Sequence, residues 1–451
     1  MQRKSRDEIR SHPMSLSKRP DPQKAGPLRL GIAGLGTVGI GVLKILRKEA
    51  AMLTARTGRE ITVTAVSARN RSKDRGVPLD SYAWEDDPVV LAVRDDVDIF
   101  VELMGGSDGP AKAATEAALN AGKDVVTANK AMLAIHGQEL AELAEAKGRV
   151  IRFEAAVAGG IPVVKALTEG LAGNNITRVM GVMNGTCNYI LTRMEATGSS
   201  YETLFDEAGK LGYLEADPTL DVGGIDAGHK LSLLASVAFG TRVAFGKMEL
   251  EGIQRITLED IRAAADMGFK IKLLGVSQMT GRGLEQRMAP CLVPATSPLG
   301  QLEGGTNMVV LEGDAVGQIV LRGAGAGEGP TASAVLSDIC DVARGFRLPV
   351  FGQPAATLRE TNGAVSNTPA PYYLRLTLQD KPGALAKVAS VLGEAGVSIH
   401  RMRQYDHEGA GAPVLIVTHK TARAALDIAI AGMAGTGVVE GQPVALRIET
   451  V

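Results

Sequence analysis

The stretch Leu28-Arg29-Leu30-Gly31-Ile32-Ala33-Gly34-Leu35-Gly36-Thr37-Val38-Gly39 constrains the fold more than any other segment of the chain. Its first six residues read as a short buried strand. Glycines then demand a tight turn, and Val38, Val42, Ile45 and Leu46 repeat at helical spacing. Strand, Gly-x-Gly-x-x-Gly and helix, in that order, form the frame in which a helix N-terminus meets a pyrophosphate. Gly34 permits the turn, Gly36 lets the backbone approach the phosphates and Gly39 allows close helix packing. The free N–H groups and positive dipole end of that helix favour an anion. Gly34, Gly36, Thr37, Val38 and Gly39 are therefore expected to hold a dinucleotide.

The pattern continues with strands at Ile61 to Ser67, Asp98 to Leu103 and Asp124 to Thr127, and a helix at Ala111 to Ala121. Strands alternating with helices imply a doubly wound parallel sheet of Rossmann type. Residues 28–150 form this unit, and a helical run at Thr331 to Phe346 is expected to return and pack on it, so that about 320–346 complete it. Gly327 lies in the glycine-rich stretch ahead of that run and joins the expected cofactor residues. Residues 151–319 mix strands and longer helices as an α+β catalytic domain. Residues 347–370 carry Pro349, Pro354 and Pro369 and read as a linker. From 371 to 451 the order is βαββαβ, a ferredoxin-like unit.

A chain of 451 residues exceeds a single core. Its formal net charge of -1 supplies none of the positive field that nucleic-acid binding needs. No apolar run is long enough to span a membrane. Residues 1–27 are polar, basic and proline-bearing, read as a disordered tail without the apolar stretch of a secretory signal, and Met14 is an alternative start. Cys187, Cys291 and Cys340 have no CxxC spacing, which fits a reducing cytoplasm.

The second strand ends without the acidic residue that would hold a ribose 2′-hydroxyl and runs instead into Ser67-Ala68-Arg69-Asn70-Arg71. Arginine offers a planar fork for phosphate, so Arg69 points to NADP, with NAD as the alternative; solvated loop charges would look the same. Lys130, in Thr127-Ala128-Asn129-Lys130, sits just past the C-terminal end of a strand, where open α/β sheets bind ligands. Asp226 and Lys230 share a helix face at i, i+4 with Leu233 and Val237. An ordinary surface ion pair worth about 0.2–0.5 kcal/mol has the same spacing. Partly buried, the pair would orient an ammonium for proton donation. Glu215 and Asp217 lie in an acidic loop suited to a substrate ammonium. Gly185 and Thr186, in Asn184-Gly185-Thr186-Cys187-Asn188, precede a helix and are placed to offer backbone N–H groups. Cys187 also opens a rival chemistry, a thiol nucleophile of an aldehyde dehydrogenase, although no neighbouring His supports its activation. Glu154 with the small residues that follow, through Ile161, suits either a hard cation held by carbonyls or a tight interdomain turn.

Taken in order, Gly-Leu-Gly-Thr-Val-Gly, Thr-Ala-Asn-Lys, Glu-Ala-Ala-Val-Ala-Gly-Gly-Ile-Pro, Met-Asn-Gly-Thr-Cys-Asn-Tyr, Gly-Tyr-Leu-Glu-Ala-Asp-Pro-Thr and Gly-Ile-Asp-Ala-Gly-His-Lys resemble the homoserine dehydrogenase family over residues 28 to 451. The resemblance implies NAD(P)-linked interconversion of L-aspartate 4-semialdehyde and L-homoserine, on the path to threonine, methionine and isoleucine. It implies Lys230 as proton donor with Asp226 as its partner, and Lys130 as a second active-site lysine near cofactor and substrate. It also implies Glu215 as the carboxylate for the substrate amino group, with Asp221, Thr186 and Gly185 about the substrate. Glu154, Val157, Gly159 and Ile161 match a sodium site. A desolvated, closed site is expected to lower the pKa of Lys230 from its free value of about 10.4. The middle domain would also dimerise, giving a homodimer or homotetramer. Leu378-Gln379-Asp380-Lys381-Pro382-Gly383 with the following helix resembles an ACT domain, which implies feedback control by threonine. The rival in a different class is an amino-acid-sensing nucleotide-binding protein without turnover.

Overall fold

The computed structural model describes residues 26–214, 217–364, 367–405 and 411–450. Its first sheet is entirely parallel, in the order Ala83–Glu85, Ile61–Ser67, Leu28–Ala33, Ile99–Glu102, Asp124–Thr127, Ile151–Arg152. Leu28–Ala33, Ile61–Ser67 and Asp124–Thr127 match the sequence reading residue for residue. The edge strand Ala83–Glu85 and the helix Pro88–Val93 were not foreseen. The strand order reverses beside Leu28–Ala33, and the crevice there is where such sheets bind ligands.

The helix Thr37–Thr57 packs on Glu328–Ala343, which returns from the far side of the middle segment. Gly41 makes that approach possible: a side chain there would run into Glu328 and Ala332. Lys44 and Glu328 tie the two helices at the surface, 2.9 Å apart.

The second sheet begins as an antiparallel array, Gly317–Ala324, Thr306–Gly313, Ile176–Val182, Phe269–Thr280, Gly283–Pro294. It continues without a break into the C-terminal unit, because Cys291 and Leu292 pair in parallel with Arg447 and Ile448. That unit runs in the order Val439–Ile448, Tyr372–Gln379, Gly411–Thr418, Ile399–Gln404, the βαββαβ arrangement expected. Alternation along Tyr372–Gln379 sorts its faces. Tyr372, Leu374, Leu376 and Leu378 pack under the unit's own helices, whereas Tyr373 joins the core of the middle domain. Among the described residues no helix is long and apolar enough to cross a membrane.

Candidate active site

A cavity of about 630 Å³ runs between the two sheets. Among the described residues, five helices turn their N-termini toward it, starting at Thr37, Lys130, Gly185, Ile225 and Glu328. Such ends carry free N–H groups and partial positive charge, so the cavity is built for anions.

The fingerprint turn forms one end. Gly34 has φ +101° and lies against the backbone of Leu103, where a side chain would collide. Gly39 is similarly pressed on the Gly34 carbonyl. Gly36 differs: its missing Cβ would point into open space, and no side chain caps the helix that follows. An uncapped N-terminus behind an open cradle fits a dinucleotide pyrophosphate. Gly327, at φ +118°, precedes a second uncapped helix on the same wall. Arg69 is exposed on the loop after the second strand. Arg71 and Arg75, each 5.7 Å from the Trp84 ring centre, stack near it, and Arg75 Nε donates to the Leu35 carbonyl at 3.2 Å. Arg75 thus braces the fingerprint, a link sequence reading missed because it spans 40 positions.

At the other end Asp226 gathers the charged groups. Its Oδ1 lies 3.0 Å from Lys130 Nζ, and its Oδ2 accepts from Lys230 Nζ at 2.7 Å and Asn184 Nδ2 at 3.2 Å. Lys230 Nζ also donates to the Met183 carbonyl at 2.9 Å. Local sequence sets this up. Gly224, at φ +80°, caps the helix Ile225–Phe239 and places Asp226 in its first turn, where the dipole favours a carboxylate. Asn129 caps the helix that opens with Lys130. Burial pushes the Asp226 carboxyl up, but Lys230 and Lys130 outweigh it and hold it well below the usual carboxylate range. The pair is therefore no surface ion pair: Asp226 and Lys230 are both buried.

Asn184 escaped the candidate list although its Asn-Gly setting before a helix signals an N-cap. Its Oδ1 accepts from Cys187 N at 2.8 Å while its Nδ2 reaches Asp221 Oδ1 at 3.0 Å. Gly185, Thr186 and Asp221 line the cavity beside it. Glu215 lies outside the described residues. His229 packs at a tilt against Phe245, ring centres 4.2 Å apart, and does not line the cavity.

The thiol chemistry fails on geometry. Cys187 is fully buried, its Sγ–H donates to the Asp221 carbonyl at 3.3 Å, and burial together with the Asp221 charge pushes its pKa well above the ordinary value. A thiol so placed is no nucleophile.

Glu154 is committed locally. Its two carboxylate oxygens accept from the backbone N–H groups of Val164 and Lys165 at 2.9 and 2.8 Å. Burial and then the neighbouring Asp338 raise its pKa to about 7. Ala158 and Gly159, both at φ 54°, turn the chain beyond it, and only Gly159 of the expected ion ligands lines the cavity. Among the described residues no cluster of three or more His, Cys, Asp or Glu could hold a metal. Among the described residues no backbone N–H in a turn or loop donates to the Val157 or Gly159 carbonyl, so main-chain oxygens are what the segment has to offer a cation.

Residues 34–154 match the family described as homoserine dehydrogenase, NAD binding domain, residues 162–340 match homoserine dehydrogenase, and residues 372–430 match the ACT domain. A homoserine dehydrogenase of Neisseria gonorrhoeae is 42% identical over 94% of this chain and 99% of its own length. The crystal structure of a homoserine dehydrogenase from Thiobacillus denitrificans superposes with a TM-score of 0.89 at 39% identity, over 94% of this chain and 98% of that one. A hyperthermophilic archaeal homoserine dehydrogenase, solved in complex with NADPH, matches with a TM-score of 0.62 at 27% identity, over 71% of this chain and 99% of that one. Near-complete coverage in both directions, over the parallel sheet, the middle domain and the C-terminal unit alike, makes this chain a member of the homoserine dehydrogenase family, an oxidoreductase with an NAD(P)-binding domain and an ACT domain.

Proposed function

We propose that the protein interconverts L-homoserine and L-aspartate 4-semialdehyde with NADP as the preferred cofactor. The observation that carries this reading is Asp226 held between Lys130 and Lys230 in the cavity that also receives the fingerprint helix. Bound NADP supplies the hydride-transfer chemistry. Lys230 donates a proton to the alkoxide oxygen that develops from the semialdehyde carbonyl, and takes it back when homoserine is oxidised. Asp226 fixes the direction of both ammonium groups, Asn184 and the Met183 carbonyl fix Asp226 and Lys230 in turn, and Lys130 adds positive charge beside the same oxygen. The N–H groups at Gly185 and Thr186 suit the substrate carboxylate, with Asp221 and Glu215 for its ammonium. Arg69 suits the cofactor 2′-phosphate.

The finer features of this reading are threonine feedback through the ACT domain, a homodimer or homotetramer, a place in threonine, methionine and isoleucine synthesis, and a sodium ion on the carbonyls of Val157, Gly159 and Ile161 beside Glu154. The outer edge of strand Gly317–Ala324, which exposes Val320, offers a surface for subunit pairing. The test is homoserine-dependent reduction of NADP and of NAD by the parent and Lys230→Ala, with and without threonine. Turnover lost in the variant with cofactor still bound supports the assignment; absence of turnover in the parent with either cofactor sinks it and leaves an amino-acid-sensing nucleotide-binding protein.

A further inference from the structure

The strand Ile99–Glu102 runs Ile-Phe-Val and ends on a carboxylate, all four residues buried. Glu102 is 0% exposed and stands behind the wall of the active cavity, not on it. A buried carboxyl group is costly unless hydrogen bonds satisfy it, and the partners of Glu102 fall into two sets. Its Oε1 accepts from the backbone N–H groups of Met104 and Gly105 at 2.7 and 3.2 Å, which folds the loop after the strand back over it. Gly105 and Gly106, at φ 77° and 87°, permit that turn. Its Oε2 accepts from the Thr127 hydroxyl at 2.6 Å, on the neighbouring strand with which Glu102 is in register. Each of these partners is a donor. A carboxylate accepts on both oxygens, whereas a glutamine of the same shape brings one acceptor and one donor.

From Thr127 the bonds run on to Lys130. Asn129 N–H donates to Thr127 Oγ1 at 2.9 Å. Asn129, itself buried, then caps the helix Lys130–Ala146 by accepting from Met132 N–H at 3.0 Å. Its Nδ2 donates to the Gly106 carbonyl at 2.7 Å, which closes the circuit on the loop that Glu102 folds. Lys130 is the first residue of that helix, where a backbone N–H has no partner within the helix and the turn is prone to fray. Its ammonium must nonetheless meet Asp226 at 3.0 Å.

We infer that Glu102 is a positioning residue for the reaction: through Thr127 and Asn129 it fixes the helix turn that delivers the Lys130 ammonium to Asp226. The inference rests on the role given to Lys130 above. The fingerprint turn is held separately, by Leu103 N–H on the Ala33 carbonyl at 2.7 Å and by the packing of Gly34 on the Leu103 backbone. Loss of the Glu102 carboxylate therefore strikes Lys130 and spares the cofactor cradle. In Glu102→Gln the side-chain carbonyl keeps the Met104 and Gly105 amides, and the new NH₂ group faces Thr127 Oγ1, which already receives Asn129 N–H. The Thr127 hydroxyl then loses its acceptor, and the link to the Lys130 turn is broken at that atom.

The experiment is a double-mutant cycle on the full-length protein: parent, Glu102→Gln, Lys130→Ala and the two together. It reads kcat for homoserine oxidation, NADPH binding by fluorescence titration, and the thermal midpoint. Thr127→Val removes the hydroxyl and Thr127→Ser keeps it, so this second pair carries the same test if Glu102→Gln does not fold. The expected kcat of Glu102→Gln is lower by about 10- to 100-fold, the effect of a misplaced group, with NADPH affinity within about twofold of the parent. Added to Lys130→Ala, the same change should lower kcat by less than about twofold, because both act through one ammonium. Thr127→Val should repeat this pattern and Thr127→Ser should restore turnover. Parental kcat in Glu102→Gln, equal losses with and without Lys130, or NADPH binding lost in step with kcat would overturn the inference and leave the role of Lys130 standing. Parental turnover in Lys130→Ala overturns both.

Discussion

Two buried carboxylates in this protein each collect several cations, and the cations differ. Asp226 in the active cavity is held by two lysines and an asparagine. Glu449, 3% exposed at the seam between the middle sheet and the ACT domain, is held by Arg178, Arg287 and Arg447. Burial pushes both carboxyls up, and the cations outweigh it and bring both below the ordinary range. Lysine is a point charge that gives up a proton, whereas arginine is a fixed fork that stays charged at any accessible pH. Under the proposed function, the same arrangement of a carboxylate among cations serves proton transfer where lysines surround it and mechanical union where arginines do. The Glu449 backbone strengthens the union, its N–H donating to the Leu292 carbonyl at 2.8 Å.

The contrast is broken most directly at Lys230. Lys230→Arg keeps the positive charge beside Asp226 but removes a donor able to release its proton, so turnover should fall about 10²–10⁴-fold, nearly as far as in Lys230→Ala, with NADPH binding retained by fluorescence titration. An arginine variant close to parental activity would mean that charge alone suffices. Glu449→Gln should do the reverse. Leaving the buried Arg287 and the half-buried Arg178 and Arg447 short of their anion costs on the order of 3–5 kcal/mol, read as an earlier urea transition, while kcat stays near parental. Because its folded pKa is depressed, Glu449 contributes stability above the unfolded value of about 4.3 that is lost as pH falls through the folded one. The parent should therefore lose more stability than Glu449→Gln on acidification. A variant with parental stability and lost turnover would reverse the roles of the two sites.

What the sequence disclosed and what it withheld divide along the same line. Strand Leu28–Ala33 and its glycine turn are legible because strand, glycines and apolar helical period follow one another without a gap; Gly39 presses on the Gly34 carbonyl within that stretch, whereas the contact of Gly34 with Leu103 carries no local signal. The ACT helix Ala384–Glu394 is legible from its apolar period for the same reason. Lys230 and Asp226 share a helix turn, and their pairing was readable, but their burial was not. Lys130 meets Asp226 across 96 positions, and the Met183 carbonyl has no side-chain signature at all. Ala83–Glu85 is three residues long, too short for a period to register. Glu154 read as a cation ligand because a carboxylate before small residues looks the same whether it meets an ion or the backbone amides of Val164 and Lys165.

Glu154 supplies a third case that sharpens the comparison, a buried carboxylate whose direct donors are two amides. Its folded pKa of about 7 lies above the unfolded value. Its contribution to stability is therefore complete below about pH 4.3 and is lost as pH rises through about 7. A sodium ion on the adjacent carbonyls would favour the ionised form and flatten that loss. Thermal midpoints at about pH 5 and about pH 8 should differ less in sodium chloride than in choline chloride. Equal differences in the two salts would remove sodium from Glu154.

The smallest effect is expected where an arginine faces solvent. Arg69 is exposed, so its charge is screened and its pairing with a 2′-phosphate is weaker than a buried one. Arg69→Ala should raise the KM for NADPH about tenfold and leave that for NADH nearly unchanged. Arg75 makes the control, because its bond to the Leu35 carbonyl supports the fingerprint turn that both cofactors use. Arg75→Ala should weaken NADPH and NADH together. If Arg69→Ala also weakens both equally, Arg69 acts through the loop and not on a phosphate. Cofactor choice then falls to Arg71 or Arg75 beside Trp84, and arginine at this edge serves structure as it does at Glu449.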